Sequence, residues 1–553
     1  MLSRTIKVLS IGLILAFSMP AFSASQAPPP YAPQPESLVP TDASAVMRIS
    51  SIDDMIRLWA DLKNVSSEQQ SAADDDVLFF LDDVFSPVAE AASRTSPLLL
   101  CLRMPPVMMQ QEPFTTAIFP LAPGIVDVGN LAGMNEVAAW AHDFGCLALS
   151  TDPTYKPSPT PTPLLSGMLP GTISACLDFR SLIEANREVV EMGLDSARMM
   201  AAMADSTQPQ TMSPEQVDAS VDLARMVIDS LTRVDLAFGV DGDDLSLQSR
   251  FVVEADSPLD LGPQPDFAEA LTLTRLLPRD AGFIMASAFD QSRALDQIQD
   301  ISVFSLHGSM TEMSEEQQAA YDRWNQHSLD IMAAANLPYA SCVAGDDVLS
   351  IQTVIKTDNA MAQLGSLGGL LAEYGSLGLG LTFDPLPAST IDGIDILGWR
   401  ASLDQDMIQE DPSNHDMQQL NHILETLCNE IHAAAHHGHL FISCDRGTDG
   451  LAAMLRALPQ KSLFIDPRLA SLAAEAGPEC RQAVTGDIRV LLNWMSKATG
   501  ESCVPGSEPI LLEAVMTSDG PVGGFDLKMN LDGLKNILAS AKLMEKQGGC
   551  GGH

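Results

Sequence analysis

The sequence is short of positive charge. Lys and Arg number 31 against 72 Asp and Glu, a net charge of −41. A surface of that sign repels phosphate backbones and anionic headgroups, which excludes nucleic-acid binding. Local signatures of chemistry are missing as well. There is no Cys-x-x-Cys dithiol, no Gly-x-Ser-x-Gly elbow, no His-Glu-x-x-His zinc helix, no phosphate loop and no dinucleotide fingerprint. No cofactor is implied. An enzyme whose acid and base come from distant strands leaves no local trace, so a hydrolase without a motif stays open. Long apolar runs are lacking beyond the N-terminus. The nearest, Leu364 to Phe383, carries Glu373 and several glycines and reads as a core helix running into a strand.

What is present begins with an export pattern. Arg4 and Lys7 precede an apolar run from Val8 to Phe17, and Ala21-Phe22-Ser23-Ala24 supplies small residues for cleavage. The run is too short to be retained as a spanning helix, and no cysteine offers a lipid anchor. The expectation is a signal peptide over 1–23 and a soluble product, periplasmic or secreted, with no integral membrane segment after cleavage. Losing Arg4 and Lys7 takes the net charge to −43. A Pro-rich leader follows over 24–37 and reads as extended and solvated. At 553 residues and 46% hydrophobic, the remainder has enough apolar side chain for more than one core.

Nine cysteines in an exported chain permit disulfides, and eight of them lie in the body. Pairing is not deducible from spacing. Cys176 and Cys444 sit in apolar runs, where a buried thiol is the competing reading.

Self-similarity carries most of the information. Four segments share Leu or Val, Pro, an apolar strand, Asp and a helical pattern. They run from Pro40 to Asp53, from Pro170 to Asp178, from Pro278 to Asp290 and from Pro459 to Asp466. Pro suits a strand entry and Asp a helix N-cap. A Gly-strand-Asp element recurs at Gly145–Asp152 and Gly438–Asp445. Hairpins turn at Asp241-Gly242, Gly345-Asp346 and Asp519-Gly520. The partner of the Gly345 hairpin is sought in two strands, Leu98 to Leu102 and Thr115 to Leu121. Helices are expected at Leu182–Ala204, Pro214–Arg233 and Glu315–Ala335. The whole reads as an α+β fold: a tandem duplication of one module with antiparallel-rich sheets and helices packed on one face. The halves span 38–260 and 268–540, and a Gly-rich tail spans 541–553.

The Leu-Pro-x-Asp opening, the Gly-x-Leu-x-x-Ser-x-Asp strand and the duplicated layout resemble a broad family of exported bacterial proteins of unknown function. The resemblance is patchy from Leu38 to about Leu538 and departs at Gly171 and Gln460, where the acid is missing. It implies an exported duplicated α+β protein with no assigned catalytic residues.

Six of the ten histidines fall between His415 and His439. Read as a helix, His415 to His436 places Leu420, Ile423, Leu424, Leu427 and Ile431 on one face and the histidines opposite. His432 and His436, four apart, would then chelate one transition-metal ion; a solvated polar face is the simpler alternative. Asp241, Asp243 and Asp244 match no calcium loop and read as a turn. The leading expectation is a non-enzymatic binding or structural module of the envelope with an unidentified partner there. The metal-binding and hydrolase readings stand as alternatives. Expressed in a Gram-negative host, the chain should yield a processed product whose N-terminus maps to Ala24. An intact Met1 on the folded protein would contradict this.

Overall fold

The computed structural model describes residues 35–62, 91–104, 113–123, 137–143, 145–157, 162–203, 214–241, 244–260, 262, 264–279, 281–290, 314–335, 337–345, 349–377, 381–403, 429–458, 465–493 and 509–533. The signal-peptide segment, most of the leader and the Gly-rich tail lie outside them. The leader's end does not stay extended. Pro35–Leu38 is a turn of 3-10 helix with Pro35 and Leu38 buried.

The first half of the chain runs β1 (Ala45–Ile49), α1 (Ile52–Leu62), β2 (Leu98–Arg103), β3 (Phe114–Pro120), β4 (Ala139–Asp143), β5 (Cys146–Ser150), β6 (Ile173–Asp178), α2 (Phe179–Met203), α3 (Pro214–Ser230), β7 (Leu231–Asp241) and β8 (Asp244–Val253). The second runs α4 (Phe267–Leu273), β9 (Phe283–Ser287), α5 (Glu315–Ala335), β10 (Tyr339–Ala344), β11 (Ser350–Lys356), α6 (Ala360–Ser376), β12 (Leu381–Pro385), β13 (Ser389–Ile391) and β14 (Ile394–Leu403). It continues with β15 (Glu430–His436), β16 (His439–Asp445), α7 (Asp449–Ala457), α8 (Pro467–Ala476), β17 (Cys480–Asp487), β18 (Leu511–Asp519) and β19 (Val522–Asn530). The class is α+β. Among the described residues no helix is long and apolar enough to cross a membrane.

Two compact units result, dividing at Leu259 and Asp260, with β19 belonging to the first. Strand order in the first is β4-β5-β3-β2-β1-β6-β7-β8-β19, antiparallel at every step. Order in the second is β14-β15-β16-β11-β10-β9-β17-β18, again antiparallel, with β12 and β13 along the other edge of β14. The two orders superimpose. β1, β2, β3, β4, β5, β6 and β7 correspond to β9, β10, β11, β15, β16, β17 and β18, and α6 to β14 is an insertion. The β2–β3 pair therefore takes the place of the Gly345 hairpin, although no Gly-Asp pair lies between its strands in the sequence.

The last correspondence is β8 with β19, and these two pair with each other. Aligning Asp241-Gly242 with Asp519-Gly520 makes Asp526 the counterpart of Gln248, and Gln248 is the residue opposite Asp526. Leu245 faces Met529, while Phe251, the counterpart of Met529, faces Gly523, the counterpart of Leu245. That reciprocity is isologous pairing. Gly523 has no Cβ because the Phe251 ring occupies that space.

Side chains alternate between the faces of a strand, and the cores follow. In the second unit Phe441 and Ala434 join a core with α4, α7 and α8. Their neighbours Leu440 and Ala433 join another core with α6, on the opposite face. Helices thus cover both faces there. In the first unit α1 covers one face, and irregular chain holding Leu38, Val39, Tyr155 and Leu164 covers the other. The Tyr155 hydroxyl donates to the Leu38 carbonyl at 2.7 Å.

The recurrent aspartates differ in their work. Asp466 is the N-cap of α8, accepting from the amides of Arg468 and Leu469 at 2.9 and 3.3 Å. Asp178 accepts from the Ser181 amide at 2.9 Å. Asp53 is no cap: Ser51 accepts from the Asp54 amide, and Asp53 pairs with Arg94. Little of the fourth Leu-Pro unit is described. Residues 459–464 lie outside those described, and the strand in the place of β6 is β17, which ends at Asp487 and follows Pro478.

Six cysteines are described and none is in a disulfide. Cys101 and Cys176 both sit opposite Val46, on either side of β1. Two strand spacings separate them by about 10 Å, beyond what a disulfide spans. Burial pushes the Cys101 thiol up, the Cys176 thiol up to about 12 and the Cys480 thiol up to about 11. These thiols should resist alkylation in the native protein and label fully in denaturant, read residue by residue by mass spectrometry. Rapid native labelling of Cys101 or Cys176 would contradict the packing.

Candidate functional site

The histidine-rich segment is where the structure departs most from the sequence reading. His415 and His422 lie outside the described residues. From Glu430 to His436 the chain is a strand, β15, with no helical spacing. Alanine favours helix, but tertiary packing overrides so weak a preference. Ala433 and Ala434 are fully buried on opposite faces. His432 and His436 share a face with Ala434 between them, about 13 Å apart along the strand. The chelating pair expected of a helix is therefore not formed. Among the described residues no three His, Cys, Asp or Glu side chains gather as a metal site.

β15 turns into β16 through His437 and Gly438, both with positive φ, +48° and +74°. Two such central residues make a type I′ turn, whose twist matches the strands it joins. The missed signal was this one, a residue before Gly flanked by alternating apolar positions. At the tip, His436 is paired with His439. The His439 ring meets the His437 carbonyl through Nδ1 at 2.9 Å. Burial first, then His437 and His439, hold the His436 imidazole below its ordinary value. Burial also lowers His439, helped by Lys356 and Arg275 and opposed by the bond to the His437 carbonyl. Beside the tip lies an open hollow of about 390 Å³, bounded by residues 358–362 at the start of α6 and by Ala435 to Gly438.

Further along the same face, strand register builds a polar row that the sequence did not reveal. Gly398, His432, Ser443, Gln352 and Cys342 stand opposite one another in turn on β14, β15, β16, β11 and β10. His432 is 5% exposed and Ser443 is fully buried. The His432 ring meets Glu430 at 3.1 Å, and Arg400 donates to Glu430 at 2.6 Å. The Arg400 bond, with help from His432, holds the Glu430 carboxyl below its usual range against the cost of burial.

Ser, His and Glu on adjacent strands have the composition of an acyl-transfer triad. The geometry is otherwise. Ser443 Oγ has no partner within the described residues. It lies under Gly450, near the start of α7, whose absent Cβ would fall 2.5 Å from Gln352 Nε2 and 2.9 Å from Ser443 Oγ. A nucleophile needs a base in contact and a path to substrate, and α7 closes the path here. What the row does is seat α7 on the sheet.

No family model matches the chain, and neither does any curated protein or solved structure.

A second buried charge set lies in the first unit. Asp235 on β7 is wholly buried and faces Arg250 of β8 in the ladder. Arg250 Nε donates to it at 2.9 Å, and Arg233 Nε donates at 3.0 Å. Both guanidinium groups reach on to carbonyls of the irregular loop, Arg233 to Leu164 and Ser166, and Arg250 to Gly167. A buried carboxylate needs such pairing and hydrogen bonding, and here it pins the loop. The signal was Arg-x-Asp on a strand, meaningful only once β8 is in register.

Gly450→Ala should destabilise the protein by about 1–3 kcal/mol through overpacking, read by urea unfolding. Ser443→Ala, which removes an oxygen with no partner, should cost less than about 1 kcal/mol. Equal losses in the two variants would show that Ser443 is engaged. Asp235→Ala should cost on the order of 3 kcal/mol, since it leaves two arginines unpaired.

Proposed function

We propose that this chain is an exported, non-enzymatic binding or structural module of the cell envelope, facing a partner in the periplasm or outside. The observation that supports it most is the kind of residue kept in both copies of the strand order. Gly145 and Gly438 both open their strands with positive φ, +71° and +74°. Asp178 and Asp487 end corresponding strands, and each accepts hydrogen bonds from amides just beyond, Ser181 and Arg489. Such residues serve turns and strand-to-helix transitions. Reaction chemistry would converge on one site and need no second copy. The N-terminal pattern at Arg4 to Ala24 favours export.

The test is a hydrolase substrate panel on the processed protein beside a folded His432→Ala variant. No turnover in either is expected. Turnover by the parent that His432→Ala abolishes would overturn the reading and favour a hydrolase built on the polar row.

A further inference from the structure

Where the β15–β16 tip meets α6, cationic and potentially cationic groups crowd together. The His436 and His437 ring centroids are 4.0 Å apart. His439 stands opposite His436, which brings their Cβ atoms to about 5 Å. On its other side His439 is paired with Lys356 of β11, which forms an ion pair with Glu269 of α4. Arg275, in the 3-10 turn after α4, bears on His439 as well. From the α6 side come Asp358 and the helix's first amides, the positive end of its dipole. Asn359 makes no side-chain cap there. Lys356 has Glu269 as its ion-pair partner, and protonation of His436 and His439 would add two charges beside it.

We propose that this tip is an acid-sensitive latch: protonation of His436 and His439 drives the hairpin tip away from the chain entering α6. One backbone bond fastens the tip to the chain entering α6, from the Thr357 amide to the Gly438 carbonyl at 2.9 Å. Each added charge meets Lys356 on β11 and Arg275 on the 3-10 turn, with Glu269 and Asp358 the acids nearby. The lowered values of His436 and His439 agree in sign. Both lie below the ordinary 6.5, so the unfolded chain binds more protons than the folded one beneath that value. The stability they contribute is complete above 6.5 and is lost as pH falls through the folded values.

Hydrogen exchange on the full chain tests this, with the Thr357 amide as reporter and the β9–β10 ladder as control. Between pH 7.5 and 5.5, corrected for intrinsic exchange, protection at Thr357 should fall about ten-fold more than in the ladder. The double variant His436→Gln/His439→Gln should abolish the difference. If that variant does not fold, His437→Asn keeps the left-handed turn position and should weaken the response. Loss of protection at Thr357 no greater than in the ladder, or an undiminished response in a folded variant, overturns the latch.

Discussion

A strand inside a sheet must find partners for its amides and carbonyls on both sides; every inner strand here does so, and one such strand in each unit holds the inner position from which the two sides can be read. In the first unit it is β1, between β2 and β6; in the second it is β9, between β10 and β17. Register is set there. Val46 lies against Cys101 and Cys176 inside a core. Sliding β1 by one residue would carry Val46 to the other face and break both ladders. Everything outward inherits that alternation, including which histidines of β15 share a face.

The α+β class was legible because turn and strand-entry residues are local. Asp-Gly turns, the glycine before β5 and β16, and the long helices α2, α3 and α5 could be read from a few neighbours each. The apolar stretch from Leu364 was read correctly as helix then strand, α6 followed by β12. The strand that takes the place of β6 in the second unit, β17, was not legible for the opposite reason. A Leu-Pro pair near Asp466 resembles the others, but correspondence with β6 is decided by what pairs with β9, a relation between distant residues.

The candidate site was mostly illegible. Helix periodicity up to Ile431 was extended through an alanine-rich run whose state is chosen by burial between two cores. The polar row from Gly398 to Cys342 draws on five strands and has no signature along the chain. The same holds for Asp235 and its two arginines. In each case charged or polar side chains are joined by register alone. What such groups do here is fasten α7 and the 162–167 loop to their sheets, a role in which burial is an asset.

The isologous seam between β8 and β19 bears on how the chain can mature. The first unit closes its ladder with a strand made only after all the strands of the second, so its β8 edge must wait uncovered until then. An uncovered edge is a template for stray pairing, and contacts this distant in sequence form slowly. Loss of β19 would uncover the β8 edge and so damage a unit whose other strands all lie far before it in the sequence.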